Sequence, residues 1–324
     1  MTEKRLSKEW EVSAFDRVNN EWSTTMNHAY EVTPELADDL FVSQAPPIRV
    51  TPSKRKRTET DWLDTVACIG DIHFPFQNDT RLSLAQVAMK ETQPTIISLM
   101  GDNLDNTNYS RFGTRKEWAD STQEGIDQYA KFLGQLRSDH PDARILWHEG
   151  NHDVRTEKRV REYNEDLLGI KRAGETHAAL SLEFLLRVDE LGVELVKGYP
   201  SARTVVRNNL ELYHGHVTAS RGLAASKVIS EAFMSFATGH THQLGIVSKT
   251  YHIGNEEKTI YGAEAGTFAD PSLTPSGKYA PNTNVRMNWQ SGVINWLINE
   301  EEAIPSIAPI TDDGVMVNGK YYKS

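Results

Sequence analysis

Between residues 65 and 148, apolar and polar positions fall into blocks rather than into one continuous period. The short runs Thr65-Val66-Ala67-Cys68-Ile69, Thr95-Ile96-Ile97-Ser98-Leu99-Met100 and Ala143-Arg144-Ile145-Leu146-Trp147-His148 have the length and density of buried strands. Between them, Leu82, Leu84, Val87, Ala88 and Met89 recur at helical spacing within 80–92, and 117–139 reads as a long amphipathic helix. This β-α-β-α-β order predicts a parallel sheet with helices on both faces. Residues 155–187 keep a helical pattern. Strands then dominate, at 204–206, 210–213, 235–238, 245–251, 258–261 and 292–298, which predicts a largely antiparallel sheet packed on the first. Near the end, Asp312-Asp313-Gly314 and Asn318-Gly319 are turn signals for a terminal hairpin.

Ahead of this α/β region the pattern is different. Residues 1–44 read as mainly helical and acidic, with Trp10, Phe15 and Trp22 available for packing on the main body. Residues 45–57 contain Pro46, Pro47 and Pro52 and close on Lys54-Arg55-Lys56-Arg57, an extended linker or arm. The basic run is either solvated or able to touch nucleic acid or act as a localisation signal. The expected organisation is a helical segment and basic linker over 1–60, a main domain over 61–300 and a tail or hairpin over 301–324.

Composition narrows the class. A charged fraction of 25% and no apolar stretch near the ~18–20 residues of a membrane span predict a globular protein without a membrane partner. The start leads into no apolar signal region, so a cytoplasmic location is expected. Cys68 is the single cysteine, which excludes an internal disulfide and a thiolate-rich zinc site. Its apolar neighbours make it strand filler. The formal net charge of −10 argues against a surface that attracts nucleic acid everywhere and leaves room for a local basic patch.

The chemistry lies in the polar loops at the strand ends. Gly70-Asp71-Ile72-His73 closes the first strand, Gly101-Asp102-Asn103-Leu104-Asp105 the second, and Gly150-Asn151-His152-Asp153 the third. Later strands end in His214-Gly215-His216 and Gly239-His240-Thr241-His242. Ligands collect at the carboxyl ends of strands in open α/β sheets, so these five loops should converge. Carboxylate, amide and imidazole donors without thiolate suit hard or borderline divalent ions. A pair of such ions can hold a water and neutralise phosphate oxygens for in-line attack on phosphorus. Each motif alone is weak. Five in order, each after an apolar run, are not a chance pattern.

The ordered set resembles the calcineurin-like metallophosphoesterase superfamily across about residues 65–300. The resemblance implies a four-layer α/β/β/α sandwich holding two divalent metal ions. It assigns Asp71, His73 and His242 to one ion, Asn151, His214 and His240 to the other, and Asp102 to a bridge between them. It makes His152 the general acid or transition-state donor, oriented by Asp105, with a metal-bound hydroxide as the attacking group. Asp105 also has the chemistry of a helix N-cap. Purple acid phosphatases of the superfamily carry a tyrosine ligand where this chain has Asp105, so a ferric-tyrosinate centre is not expected. Manganese is the first choice of metal, with iron, zinc and nickel open.

Substrate selection falls to the loops. On a helix, Arg155, Lys158 and Arg159 share a face, which is a phosphate cradle or simply a solvated surface. Residues 106–113 mix amides, aromatics and Arg111, suited to stacking a base and holding a phosphate or to a structural crossover. His216 either contacts substrate or points to the other side of its strand end. The favoured expectation is a phosphodiesterase acting on DNA or nucleotides, similar to the DNA-repair exonuclease branch. The alternatives are a phosphomonoesterase for small molecules, nucleotides or phosphoproteins, and a non-catalytic scaffold.

Overall fold

A computed structural model describes residues 5–16, 21–31, 64–109, 118, 120–219, 223–274 and 288–324. Residues 1–44 form one unit and 45–324 another. In the first, β1 (Arg5–Asp16) and β2 (Glu21–Glu31) pair antiparallel, from Arg5↔Glu31 to Asp16↔Glu21. This corrects the expected helical segment. Leu6, Trp10, Val12 and Ala14 recur at even spacing, as do Trp22, Thr24, Met26, His28 and Tyr30, and period two belongs to a strand. The four-residue spacing of Trp22, Met26 and Tyr30 is a multiple of that period and imitates a helix. The side chains of residues 1–63, Trp10, Phe15 and Trp22 among them, and the basic linker lie outside the described residues.

Among its described residues, the second unit carries thirteen strands in two sheets. They are β3 (Asp64–Ile69), β4 (Ile96–Leu99), β5 (Arg144–His148), β6 (Val193–Val196), β7 (Thr204–Val206), β8 (Leu210–Leu212), β9 (Ser235–Thr238), β10 (Leu244–Ile253), β11 (Glu256–Ala265), β12 (Ser291–Ile298), β13 (Ala303–Thr311), β14 (Gly314–Val317) and β15 (Lys320–Lys323). One sheet has the order β15-β14-β13-β12-β3-β4-β5-β6, and the other β10-β11-β9-β8-β7. Strands β3 to β6 are parallel, as their helical crossovers require.

The later strands depart from the expected single antiparallel sheet. β9 is parallel to both its neighbours, and β12 to β15 join the first sheet instead of the second. The reason is legible in β12, where Val293 faces one core while Ile294, Trp296 and Ile298 face another. A strand apolar on both faces belongs in the middle of a sheet. Residues 303–323 are therefore a sheet edge with turns at Thr311–Gly314 and at Asn318 and Gly319.

Three apolar clusters separate four layers. The helices α1 (Asp79–Thr92) and α2 (Ser121–Asp139) cover the outer face of the large sheet, with Leu82, Ala85, Met89, Tyr129, Phe132, Leu133 and Leu136 against Ile69, Leu99 and Trp147. Val66, Cys68, Leu146, Leu212 and Ala237 fill the space between the sheets. On the far side, Ala225 and Ile229 of a short helix, Ala225–Glu231, pack on Tyr213, Phe236 and Ile260. This is an α/β/β/α sandwich. Each fully buried Leu, Ile or Phe contributes about 1.5–3 kcal/mol, so the two inner clusters dominate stability. The segment 155–187 is less helical than expected: Arg155–Tyr163 is an α-helix, and Leu182–Leu185 comes only after turns. Arg172, Gly174 and other polar residues leave the intervening stretch without an apolar stripe to bury. No helix of the described residues is long and apolar enough to cross a membrane.

Candidate metal centre

All five polar loops leave the carboxyl end of a strand. Asp71 and His73 follow β3, Asp102 and Asp105 follow β4, Asn151 and His152 follow β5, His214 follows β8, and His240 and His242 follow β9. The loops are tied together by main-chain hydrogen bonds. The Asp71 N–H donates to the Gly101 carbonyl at 2.9 Å, and His73 N–H to the Asp102 carbonyl at 3.1 Å. Below them, Phe74 stacks on Tyr129 at 5.4 Å between ring centres, and Tyr129 meets Trp147 edge-on at 5.0 Å. The loop carrying His73 is thus clamped to the outer core.

Asp71, His73, Asp102, His240 and His242 all hold positive φ, between 50° and 73°. Non-glycine residues take this region at a cost of order 1–3 kcal/mol each and keep it only where their surroundings impose it. Gly150 shows how closely the loops approach: a Cβ there would collide with the Asp102 carboxylate and main-chain nitrogen.

Two ligand clusters emerge. In the first, His73 Nε2 and His242 Nε2 are 3.1 Å apart, and His242 Nε2 is 3.3 Å from Asp71 Oδ1. In the second, Asn151 Oδ1 lies 2.9 Å from His240 Nδ1 and 3.3 Å from His214 Nε2, which is 3.4 Å from Asp102 Oδ2. His214 Nδ1 donates to the Met100 carbonyl at 2.7 Å, so Nε2 presents its lone pair to the Asn151 oxygen. Asp71 Oδ1 is buried without a hydrogen-bond partner. Lone pairs that face one another at about 3 Å match the edges of a coordination shell with metal–ligand bonds of about 2.0–2.2 Å. The residues present therefore fit divalent cations. A third grouping, His73 with Asp105 and His152, shares His73 with the first. There Asp105 Oδ2 takes the Nδ1 proton of His73 at 2.9 Å, which turns His73 Nε2 toward the first cluster.

The electrostatics follow from burial. It pushes the Asp102 carboxyl up, but the charge and hydrogen bond of His214 outweigh it and hold the group well below the usual carboxylate range. Burial pushes His214 down, and the Asp102 charge reverses this and carries it up to about 9. A proton thus balances the charge where a cation would otherwise sit. Burial dominates at His152, lowered to about 4, so its ring is neutral near pH 7.

His152 Nε2 stands 3.9 Å from Asp102 Oδ2. Its orientation differs from the expected one. Nδ1 donates to the Asp105 main-chain carbonyl at 2.9 Å, whereas the Asp105 carboxylate stands 3.6 Å away, too far to bond. That carboxylate serves His73 instead, which also removes the N-cap alternative.

Of Arg155, Lys158 and Arg159, Arg155 is the one with a hydrogen bond to the site. It donates to His152 Nε2 and to the Asp105 carbonyl, both at 2.8 Å. Arg159 lies over the Tyr163 ring at 4.1 Å, and Lys158 is exposed. His216 is exposed and lines a cavity of about 510 Å³ on the outer face of the small sheet, with Tyr213 and Phe236. It therefore takes the second alternative, turned away from the ligands. Arg111 lies outside the described residues.

Sequence reasoning missed three supports. Asp153, one residue past His152, accepts the N–H groups of Asp102, Leu104 and Gly150 at 2.8, 3.0 and 2.9 Å. Trp289 meets His242 with ring centres 4.4 Å apart, and Tyr199 meets His214 at 5.8 Å. Asp153 was visible in its motif. The two aromatics stand far from any motif, and nothing in their neighbours marks them.

Comparison with known proteins agrees with this geometry. The family model described as calcineurin-like phosphoesterase matches residues 65–243. The chain is 27% identical over 266 residues to the gene 54 protein of Mycobacterium phage L5, covering 80% of this chain and 98% of that protein. The gene 54 protein of Mycobacterium phage D29 is 26% identical over the same length and shares. Among solved structures, vacuolar protein sorting 29 from Cryptosporidium parvum aligns with a TM-score of 0.38 and 13% identity, covering 82% of this chain and 100% of that one. A purple acid phosphatase from yellow lupin seeds aligns with a TM-score of 0.36 and 9% identity, covering 97% of this chain and 58% of that one. The chain belongs to the calcineurin-like phosphoesterase family, and its clustered ligands make it a metal-dependent phosphoesterase.

Proposed function

We propose that this member of the calcineurin-like phosphoesterases cleaves phosphodiesters, nucleic acid first among them, with two divalent ions, manganese by preference. The observation that carries the reading is a pair of ligand clusters, Asp71–His73–His242 and Asp102–His214–His240, tied together by the His240 N–H donating to Asp71 Oδ2 at 2.8 Å, with His152 Nε2 3.9 Å from the Asp102 carboxylate. When bound, the ions supply neutralisation of the phosphate oxygens and an activated water. Asp71, His73 and His242 would hold one ion, Asn151, His214 and His240 the other, and Asp102 would serve as their shared ligand.

The chain's own residues then do the remaining work. His152 covers the scissile phosphate, with Nδ1 anchored on the Asp105 carbonyl and Nε2 free to exchange its Arg155 partner for the leaving oxygen. As negative charge builds on that oxygen, Nε2 takes up a proton from solvent and passes it to the leaving group, which returns the ring to its neutral form. A diester is supported over a monoester by charge. Among the described residues Arg155 is the one cation hydrogen-bonded to His152, and its guanidinium is already divided between that ring and a carbonyl. A monoanionic diester needs less counter-charge than a dianionic monoester.

Purified protein with Mn²⁺ is offered bis-p-nitrophenyl phosphate, p-nitrophenyl phosphate, and labelled single- and double-stranded DNA. Diester and DNA cleavage abolished by His152→Ala is the expected result. Monoester turnover with intact DNA would overturn the nuclease reading, and metal analysis finding no bound ions would overturn the dinuclear one.

A further inference from the structure

The two aromatic side chains that no motif announced stand one at each half of the metal centre. Trp289 is partly exposed against His242, a ligand of the first cluster. Tyr199 is partly exposed against His214, a ligand of the second. Both are held in place. The Gln290 N–H donates to the His242 carbonyl at 3.1 Å, the Gln290 side-chain oxygen accepts from Leu244 N–H at 3.1 Å, and Asn288 bonds Gln243 at 3.2 Å. On the other side, the buried Glu149 carboxylate accepts the Gly198 N–H at 2.7 Å and fixes the turn that carries Tyr199.

The sheet sets their separation. The neighbouring strands run β12-β3-β4-β5-β6. The register Ile294↔Cys68 carries residues 289–290 past the carboxyl end of β3, and Tyr199 lies three residues beyond the end of β6. Along one edge the order is therefore Trp289, Asp71, Asp102, Asn151, Tyr199. Four strand spacings of about 4.8 Å put the two aromatic positions roughly 19 Å apart along the sheet, with Asp102 between them.

We propose that Trp289 and Tyr199 are base-stacking platforms for a single-stranded nucleic acid that runs along this edge, its scissile phosphate at Asp102 and a base on each side. A small phosphate ester reaches one ring at most, whereas a strand reaches both. A π-face accepts any base, so the recognition is for unpaired bases rather than for sequence. This rests on the phosphodiesterase reading and adds its substrate class.

The test is a cycle between protein and substrate. Fluorescence anisotropy measures binding of a labelled single-stranded DNA, and of a strand of equal length with abasic sites, to the Mn²⁺-loaded protein carrying His152→Ala so that the strand is not consumed. Trp289→Ala and Tyr199→Ala are each expected to weaken binding of the normal strand by about 5- to 150-fold. Against the abasic strand the same substitutions should cost less than about twofold, and Trp289→Phe should retain most of the affinity. Melting curves and metal content establish that each variant is folded and loaded. If a variant does not load, its Phe counterpart at the same position carries the comparison. Equal losses on both strands would make the rings braces for His242 and His214 and overturn the proposal. Equal affinity of the unsubstituted protein for the normal and abasic strands would overturn it as well. In either case, hydrolysis of bis-p-nitrophenyl phosphate by the His152-containing protein would leave the phosphodiesterase reading standing, and its absence would remove that reading separately.

Discussion

Replacing Asp153 separates the contribution of a buried acceptor from that of a buried charge. Its Oδ2 accepts from Asp102 N, Gly150 N and the Trp147 indole at 2.8, 2.9 and 3.3 Å, and its Oδ1 accepts from Leu104 N at 3.0 Å. Burial, aided by the Asp102 charge, pushes the carboxyl up to about 7, so removing the charge by itself should relieve strain. Asp153→Asn and Asp153→Ala both remove that charge and differ in the acceptor. An asparagine oxygen placed at the Oδ2 position keeps three bonds and sets its amide against the Leu104 N–H, while alanine leaves all four donors without a partner. At about 1 kcal/mol net for each retained bond, Asn should exceed Ala by about 3 kcal/mol. Thermal midpoints shift by about 2–4 °C per kcal/mol in domains of roughly 150–250 residues, so the two variants should melt about 6–12 °C apart. Metal affinity should follow the same order, because the Asp102 main chain hangs on this carboxylate. Coincident melting curves, or an alanine variant above the asparagine one, would refute the claim that hydrogen bonding, and not charge, is what Asp153 provides.

The same geometry sets the other expected outcomes. His152→Ala should lower kcat by about 10²- to 10⁴-fold with metal content unchanged, and a loss below tenfold would remove it from the chemistry. With Asp102 as the proposed shared ligand, Asp102→Ala should cost both ions, so elemental analysis returning one full equivalent would disprove the bridge. Burial lowers His148 to about 4 from an ordinary 6.5, so the unfolded chain binds the proton first. The stability it contributes is intact above pH 6.5 and is lost as pH falls toward 4, by about 2 kcal/mol between pH 7 and 5. His148→Gln should therefore flatten the acid side of the melting profile, and a parallel profile would contradict this. Arg137 donates to the carbonyls of Leu191, His140, Pro141, Ala143 and Gly192. Arg137→Ala should destabilise by about 3–5 kcal/mol in denaturant titrations, and a cost under ~1 kcal/mol would show that water replaces those bonds.

How much of this was legible in the sequence depends on what each residue answers to. The parallel strands and their polar ends were readable because burial on two faces writes a continuous apolar run and a ligand loop comes directly after it. All seven positions proposed as metal ligands come from such loops. Strand β6, Val193–Val196, was not readable, since Glu194 and Lys197 interrupt a run of only four residues. The β1–β2 pair was misread because an even spacing of four satisfies both periods. The role of the Asp105 carboxylate was misassigned between two histidines 79 positions apart, His73 and His152, a choice that only three-dimensional distance decides. Trp289 and Tyr199 were invisible because their partner is a loop brought close by the sheet order and not by the chain.

The left-handed ligands bear on how this protein could be altered. Five of the metal-facing residues occupy backbone conformations that glycine would hold without strain. In the absence of cation, a glycine at His240 should therefore raise stability while deleting a ligand. Selection for heat resistance alone would erode the centre first, and selection for turnover would carry variants back toward a lower melting point. Fitness for catalysis and fitness for folding pull in opposite directions at these positions.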